Sequence, residues 1–269
     1  MRVSDPALDP AGALQILAAT LREAGAIALA TFQTPVRSWL KDQSSPVSEA
    51  DIAVDDFLRV RLAGPGCGWL SEETADDGSR RQARRLWIVD PIDGTRSYLA
   101  GRPDWVISAA LVDDGRPVLA GVFAPVTDEL FVAVAGAGAT RNGAPIKASA
   151  GDRLDGARVA GPKRLVQALA AAAASPIAVA PRIGSLALRL IRVAQGELDV
   201  AFASGGSQDW DLAGADLLVH EAGGAMTNLV GRSLTYNQTD LVHGALVAAG
   251  AERHVALIAL TREWLAEFG

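Results

Sequence analysis

The run Leu86-Trp87-Ile88-Val89, followed at once by Asp90-Pro91-Ile92-Asp93-Gly94-Thr95, constrains this chain more than any other stretch. The apolar part reads as a short buried strand. It delivers two aspartates, three residues apart, into what reads as a tight turn. Pro91 stiffens that turn, and Gly94 permits close approach of the backbone to a ligand. Two carboxylates and a hydroxyl then crowd one point. Like charges this close repel, so the site calls for a cation or for shared protons. Oxygen donors with no nearby His or Cys suit Mg²⁺ better than zinc. A solvated Asp-rich turn is the competing reading of the segment taken alone, because Asp, Pro and Gly are ordinary turn residues.

Three further acidic segments shift that balance. Trp69-Leu70-Ser71-Glu72-Glu73-Thr74 ends a short apolar stretch in paired carboxylates, Ser48-Glu49-Ala50-Asp51 opens a helical pattern, and Trp210-Asp211-Leu212-Ala213-Gly214-Ala215 opens another. With Ser-Glu-Glu-Thr, Asp-Pro-Ile-Asp-Gly-Thr, and Trp-Asp followed by Glu221-Ala222-Gly223-Gly224, the chain resembles the inositol monophosphatase superfamily of Mg²⁺-dependent, lithium-sensitive phosphatases. The motifs occur in the family's order and at similar separations, and the resemblance covers nearly the whole chain.

The resemblance implies a layered α-β-α-β-α sandwich, a homodimer, and a site between the two halves. It implies one ion held by Glu72, Asp90 and the carbonyl of Ile92, and a second held by Asp90, Asp93 and Asp211. A third, weaker ion would lean on Glu72 and waters near Asp51, and Li⁺ would inhibit. Thr95 would orient the attacking water while donating to Asp51, and Glu72 would take up the water's proton. Asp93, Gly94 and Thr95 would also face the substrate phosphate, with backbone N–H groups of a helix beginning at Gly94 and Thr95 pointing at it. Glu73 reads as a solvated neighbour of Glu72. Asp51 can equally be a helix-capping acid and Thr95 a helix cap. Asp209 also qualifies as a cap, so spacing does not decide between it and Asp211; the Trp-Asp match selects Asp211.

Three local features resemble the 3'(2'),5'-bisphosphate nucleotidase branch of that superfamily. They are Ser71 before Glu72, Ala124-Pro125, and Arg189 in Gly184-Ser185-Leu186-Ala187-Leu188-Arg189. A guanidinium at Arg189 can hold a second phosphate bidentately; the competing reading is a surface-helix arginine. Ser204, in the loop Ser204-Gly205-Gly206-Ser207-Gln208, stands where animal inositol monophosphatases place a Glu, and such a loop can accept a base or ribose or equally be a flexible loop with no contact to the substrate. The expected reaction is hydrolysis of 3'-phosphoadenosine 5'-phosphate to AMP and phosphate. The alternatives are myo-inositol 1-phosphate hydrolysis and, from another class, a protein-binding role in RNA metabolism.

The composition bounds the remaining classes. At 269 residues and 49% hydrophobic content the chain can bury a sizeable core. A net charge of −6 gives no support for nucleic-acid binding. The cluster Arg80, Arg81, Arg84, Arg85 is read as a solvated loop. Cys67 is the only cysteine, which excludes an intrachain disulfide and fits a reducing cytoplasm. His220, His243 and His254 lack metal-ligand spacing and are read as structural. No charged-then-apolar leader pattern opens the chain, and no uninterrupted apolar stretch reaches spanning length, so no membrane partner is expected.

Periodicity divides the chain into an α+β part, residues 1–149, and an α/β part, residues 150–269. Asp9-Pro10 starts a helix whose Leu14, Leu17, Leu21, Ala24, Ala28 and Phe32 form one stripe. Ser48 caps a second helix, with Asp51 at its N3 position. Strands are expected at 105–112, 118–124 and 130–135, with a turn at Asn142-Gly143. Beyond residue 150 strand and helix alternate: strands at 158–160, 177–180, 200–203 and 246–249, helices at 162–174, 185–195, 211–222 and 252–268.

Overall fold

The computed structural model describes residues 10–41, 45–64, 66–173 and 175–268; the cap assigned to Asp9 and the helix end at Ala174 lie outside them. The chain opens with α1 (Pro10–Thr31), the hairpin of β1 (Ser38–Lys41) and β2 (Ser45–Ser48), and α2 (Glu49–Leu62). Then come β3 (Cys67–Ser71), β4 (Arg85–Asp93), the short α3 (Thr95–Leu99), β5 (Val106–Asp113), β6 (Arg116–Ala124), β7 (Glu129–Val134), β8 (Gly138–Arg141) and β9 (Ala144–Pro145). The rest comprises β10 (Arg158–Ala160), α4 (Lys163–Ala172), β11 (Ala178–Val179), α5 (Leu186–Ala194), β12 (Val200–Ala203) and β13 (Ser207–Gln208). It closes with α6 (Asp209–Glu221), β14 (Gly224–Asn228), β15 (Val242–His243), β16 (Leu246–Gly250) and α7 (Ala251–Phe268).

Two sheets carry the fold. One has seven strands in the order β3-β4-β5-β6-β7-β8-β9, with β3 and β4 parallel and the later pairs antiparallel. The other has five, in the order β11-β10-β12-β16-β14. Side chains alternate across a strand. Trp87, Val89, Ile107 and Leu119 therefore meet Leu17, Leu21, Val54 and Leu58 of α1 and α2 on one face of the seven-stranded sheet. Leu86, Ile88, Val106 and Ala110 meet α5 and α6 on the other. The second sheet covers the far side of α5 and α6, and Val166, Leu169, Leu257 and Ile258 of α4 and α7 pack on its outer face. The result is the α-β-α-β-α layering that the resemblance implied.

Within α1, the segment Gly12–Thr31 is long and apolar enough by composition to cross a membrane. Its stripe Leu17, Leu21, Ala24 and Ala28 is fully buried against the seven-stranded sheet, and Glu23 pairs with Arg61 at 2.9 Å. It is a core helix.

Three expectations are corrected. First, no tight turn follows Asp90. Strand β4 runs on to Asp93, pairing Asp90 with Ser108 and Asp93 with Val106, so three steps on β4 face two on β5. This one-residue bulge sits at Pro91, which has no N–H for the ladder. Without it, Asp90 and Asp93 would point to opposite faces. With it, Ile92 turns to the α1–α2 side and both carboxylates reach the cleft beside α6. Second, the arginine cluster is a solvated loop only in part, with Arg81 and Arg84 exposed. Arg80 is buried, donating to Asp76 Oδ2, Asn237 Oδ1 and the Gln238 carbonyl, while Arg84 and Arg85 both bind Asp113. Third, α6 starts two residues earlier than expected, at Asp209. The short strands β1, β2, β13, β14 and β15 had no periodic signature.

Helix α6 reaches the first sheet because Gly214 has no side chain. A Cβ there would lie 2.6 Å from Ser108 Oγ and 3.2 Å from Val122 Cγ2. Ser108 is the register partner of Asp90. This close approach brings the N-terminus of α6, with Asp211, to the bulge.

Candidate active site

Asp90, Asp93 and Asp211 each offer a carboxylate oxygen within 4.8 Å of the other two. They line a cleft of about 330 Å³ with Glu72, Ile92, Gly94 and Thr95. Asp90 is buried, and its Oδ1 has no hydrogen-bond partner among the described residues. Burial, then Glu72, Asp93 and Asp211, hold its carboxyl well above the usual carboxylate range. Burial and Asp93 push Asp211 up to about 7. Burial and Glu73 push Glu72 up to about 8, with Asp211 and Asp51 adding to the shift. An orphaned buried carboxylate oxygen among mutually repelling acids fits a hard divalent cation.

Those raised values make a prediction. The folded protein holds protons that the unfolded chain has released. Stability from these groups is complete below their ordinary values of 3.8 and 4.5, and is lost as pH rises through about 7 for Asp211 and about 8 for Glu72. Metal-free protein should therefore lose thermal stability between pH 5 and pH 8. A divalent cation such as Mg²⁺ should restore it, with a larger gain in Tm at pH 8 than at pH 5. Melting curves of EDTA-treated protein with and without Mg²⁺ check this; equal gains at both pH values would contradict it.

Asp93 is held from the second half of the chain. Ser185, the N-cap of α5, donates through Oγ to Asp93 Oδ2 at 2.5 Å. The backbone N–H of Ala187 donates to the same oxygen at 2.6 Å, and that of Leu186 donates to Oδ1 at 3.3 Å. These bonds partly offset the desolvation of Asp93, whose pKa still ends above its ordinary value. Ser185 was read from the sequence only as the start of a helix. A serine three residues before a backbone N–H it can cap was its one visible signal.

Asp51 closes the capping box of α2 and also accepts from Thr95. Ser48 caps α2 in a capping box, its backbone N–H and Oγ donating to Asp51 Oδ2 at 2.8 and 2.6 Å. The other oxygen, Oδ1, lies 3.2 Å from Thr95 Oγ1, which also lies 3.0 Å from the Ile92 carbonyl oxygen. Thr95 has one hydroxyl hydrogen, so these two acceptors share or alternate it. The N-cap of α3 is Gly94, at φ +96°, and not Thr95.

Glu73 is not a solvated neighbour. Its side chain is 1% exposed and forms an ion pair with Lys41, which also donates to the Glu72 carbonyl oxygen at 3.0 Å. Lys41 comes from the β1–β2 hairpin, and nothing in its sequence context marked it. Ser71 is likewise structural: it donates to Asp55 Oδ1 at 2.6 Å, and Thr74 donates to Asp55 Oδ2 at 2.6 Å.

The two acids of α6 are separated by their partners. Asp209 accepts from His243 Nε2 and from the Asn237 backbone N–H, each at 2.7 Å, away from the acidic cluster. Asp211 Oδ2 accepts the Gln208 backbone N–H at 2.6 Å, and Asp211 joins Asp90 and Asp93. His220 bonds Asp216 and His254 bonds Thr227, so the three histidines are engaged outside the cleft.

Arg189 is not a surface-helix arginine. It is largely buried, its Nε has no partner among the described residues, and Asp93 is its attractive neighbour. It lines a second cavity of about 640 Å³ with Ser204 and Arg182. Arg182 also lines the acidic cleft, so the two hollows adjoin.

The model of the inositol monophosphatase family matches residues 10–264. The chain is 35% identical over 228 residues to the inositol-1-monophosphatase of Rhizobium meliloti, covering 80% of this chain and 84% of that one. It is 29% identical over 267 residues to the Nus factor SuhB of Escherichia coli K12, covering 94% and 97%. The crystal structure of the extragenic suppressor protein suhB from Bartonella henselae superposes with a TM-score of 0.81 at 27% identity, covering 94% of this chain and 99% of that one.

Proposed function

We propose that this chain, which belongs to the inositol monophosphatase family and is a phosphoric monoester hydrolase, is Mg²⁺-dependent and removes the 3'-phosphate of 3'-phosphoadenosine 5'-phosphate, giving AMP and phosphate. Glu72, Asp90, Asp93, Asp211 and the Ile92 carbonyl are the groups that would hold two or three Mg²⁺ ions. Bound there, Mg²⁺ supplies charge neutralisation at the phosphate and lowers the pKa of water. The protein groups do the rest. Thr95, fixed between Asp51 and Ile92, orients the attacking water in line with the scissile bond. Glu72 accepts its proton. Backbone N–H groups at Gly94 and Thr95 donate to the phosphate oxygens. The Lys41–Glu73 pair anchors the strand end that carries Glu72.

The observation that carries the substrate reading is Arg189, a part-buried cation with an unpartnered Nε on the wall of a cavity adjoining the acidic cleft. A substrate with one phosphate in the cleft and another beside Arg189 satisfies both. Ser71, bonded to Asp55, no longer argues for any substrate. The test is kcat/KM on 3'-phosphoadenosine 5'-phosphate, inositol 1-phosphate, AMP and fructose 1,6-bisphosphate, for wild type and Arg189→Asp. The ratio of the first to the second should fall by roughly 10- to 150-fold, the worth of one charge-assisted contact. An unchanged ratio would remove the argument for the bisphosphate nucleotide.

Two other readings have support of their own. The name inositol-1-monophosphatase on the R. meliloti relative favours inositol 1-phosphate, which the same panel measures. The name Nus factor on the SuhB relatives favours a protein-binding role in RNA metabolism, which a pulldown beside the phosphatase assay tests. A homodimer and a cytoplasmic location belong to this proposal as well.

A further inference from the structure

The cavity beside the acidic cleft has an unusual wall for an acidic protein. The chain's net charge is −6. Lys163, Arg182 and Arg189 line this cavity, and no Asp or Glu does. Among the described residues, Lys163 and Arg182 have no ion pair or hydrogen bond through their side chains, and Arg189 Nε is unpartnered. Burial works against the positive charge of Arg189, Asp93 favours it, and Arg182 is close enough to oppose it. Three cations on a wall that carries no acid of its own, with Asp93 of the adjoining cleft beside only one of them, raise the free energy of the pocket, and an anion relieves it.

The remaining wall suits the body of a nucleotide. Val166, Val179 and Ile183 give it an apolar side, and Gln167 and Ser204 supply hydrogen-bonding groups. About 640 Å³ is within the size of small-ligand sites. Arg182 stands at the junction, lining both this cavity and the cleft that holds Asp90, Asp93 and Asp211.

We propose that this cavity is an anion subsite in which Lys163, Arg182 and Arg189 together grip the non-scissile phosphate of the substrate, and that it binds this group without the metal. The proposal rests on the bisphosphate reading of the site and adds Lys163 and Arg182 as specificity-determining residues. It separates two jobs. The acidic cleft repels a phosphate until cations enter, whereas the basic cavity attracts one at all times. A product that keeps its second phosphate, such as AMP, would stay in the cavity after the scissile phosphate has gone.

The test is calorimetric titration of AMP into the EDTA-treated full-length protein, with adenosine as the uncharged control. AMP should bind, adenosine far more weakly, and AMP binding should weaken with rising salt. Lys163→Ala and Arg182→Ala should each weaken AMP on the order of 10-fold, and Lys163→Arg should retain most of the affinity. Both positions are exposed, so the variants should keep the wild-type Tm. AMP that fails to bind, adenosine that binds as tightly, or affinity indifferent to both alanine variants would overturn the subsite. The outcomes separate from those of the substrate reading. Charge-dependent AMP binding without preferential turnover of 3'-phosphoadenosine 5'-phosphate would overturn that reading and leave the subsite standing. Preferential turnover with AMP binding indifferent to Lys163 and Arg182 would do the reverse.

Discussion

Asp90→Asn is expected to abolish turnover while stabilising the metal-free fold. Asn keeps the shape of the side chain and removes one negative charge from the centre of the cluster. Asp90 is buried, lies with Asp93 and Asp211 inside 4.8 Å, and has an oxygen with no protein partner. Glu72, Asp93 and Asp211 all oppose its ionisation. In EDTA at pH 8 the substitution therefore relieves repulsion, and Tm should rise. With Mg²⁺ it removes one of the carboxylates that would hold the ion. The loss in kcat should be at least about 10²- to 10³-fold, the size seen when one preorganised electrostatic group is deleted. The paired measurement is Tm in EDTA and kcat in Mg²⁺. Retained kcat, or a fall in Tm without metal, would contradict this account of Asp90.

Thr95→Ala should lower kcat by on the order of 10²-fold with little change in Mg²⁺ affinity, as fits a residue that positions a reactant. The hydroxyl lies 3.2 Å from Asp51 Oδ1 and 3.0 Å from the Ile92 carbonyl oxygen, and Thr95 is outside the three-carboxylate cluster. It does not cap α3, because Gly94 does. A stability loss from a missing helix cap is therefore not expected, which isolates the kinetic effect. Thr95→Ser should recover much of the rate. Near-wild-type kcat in Thr95→Ala would leave the hydroxyl as no more than a tie between Asp51 and the strand end.

Much of the architecture was legible because it rests on local patterns. The stripe Leu17, Leu21, Ala24 and Ala28 is the buried face of α1, the Ser48–Asp51 capping box opens α2, and Asn142-Gly143, at φ +49° and +80°, turns a hairpin between β8 and β9. The acids of the cleft were legible because their motifs are contiguous in sequence. What was hidden depends on contacts between distant segments. The bulge at Pro91 is a property of how β4 pairs with β5, and a sequence shows Asp-Pro-Ile-Asp as a turn just as readily. Lys41, on a hairpin with no periodic signal, meets Glu73 beyond the end of β3. Ser185 reaches Asp93 from 92 positions away. Arg80 carries the composition of a solvated loop, yet its partners Asn237 and Gln238 lie about 157 residues further on. Arg182 and Lys163 acquire meaning only beside Arg189, on one cavity wall.

The central claim is that the acids at the β4 bulge, joined by Asp211 from α6, act by holding Mg²⁺. Phosphate release by EDTA-stripped protein, measured against added Mg²⁺ on 3'-phosphoadenosine 5'-phosphate and inositol 1-phosphate, tests it most directly. The account predicts no release from either ester without metal and a saturable return with Mg²⁺ that Na⁺ and K⁺ do not reproduce. Full activity on either ester in the stripped protein would contradict it.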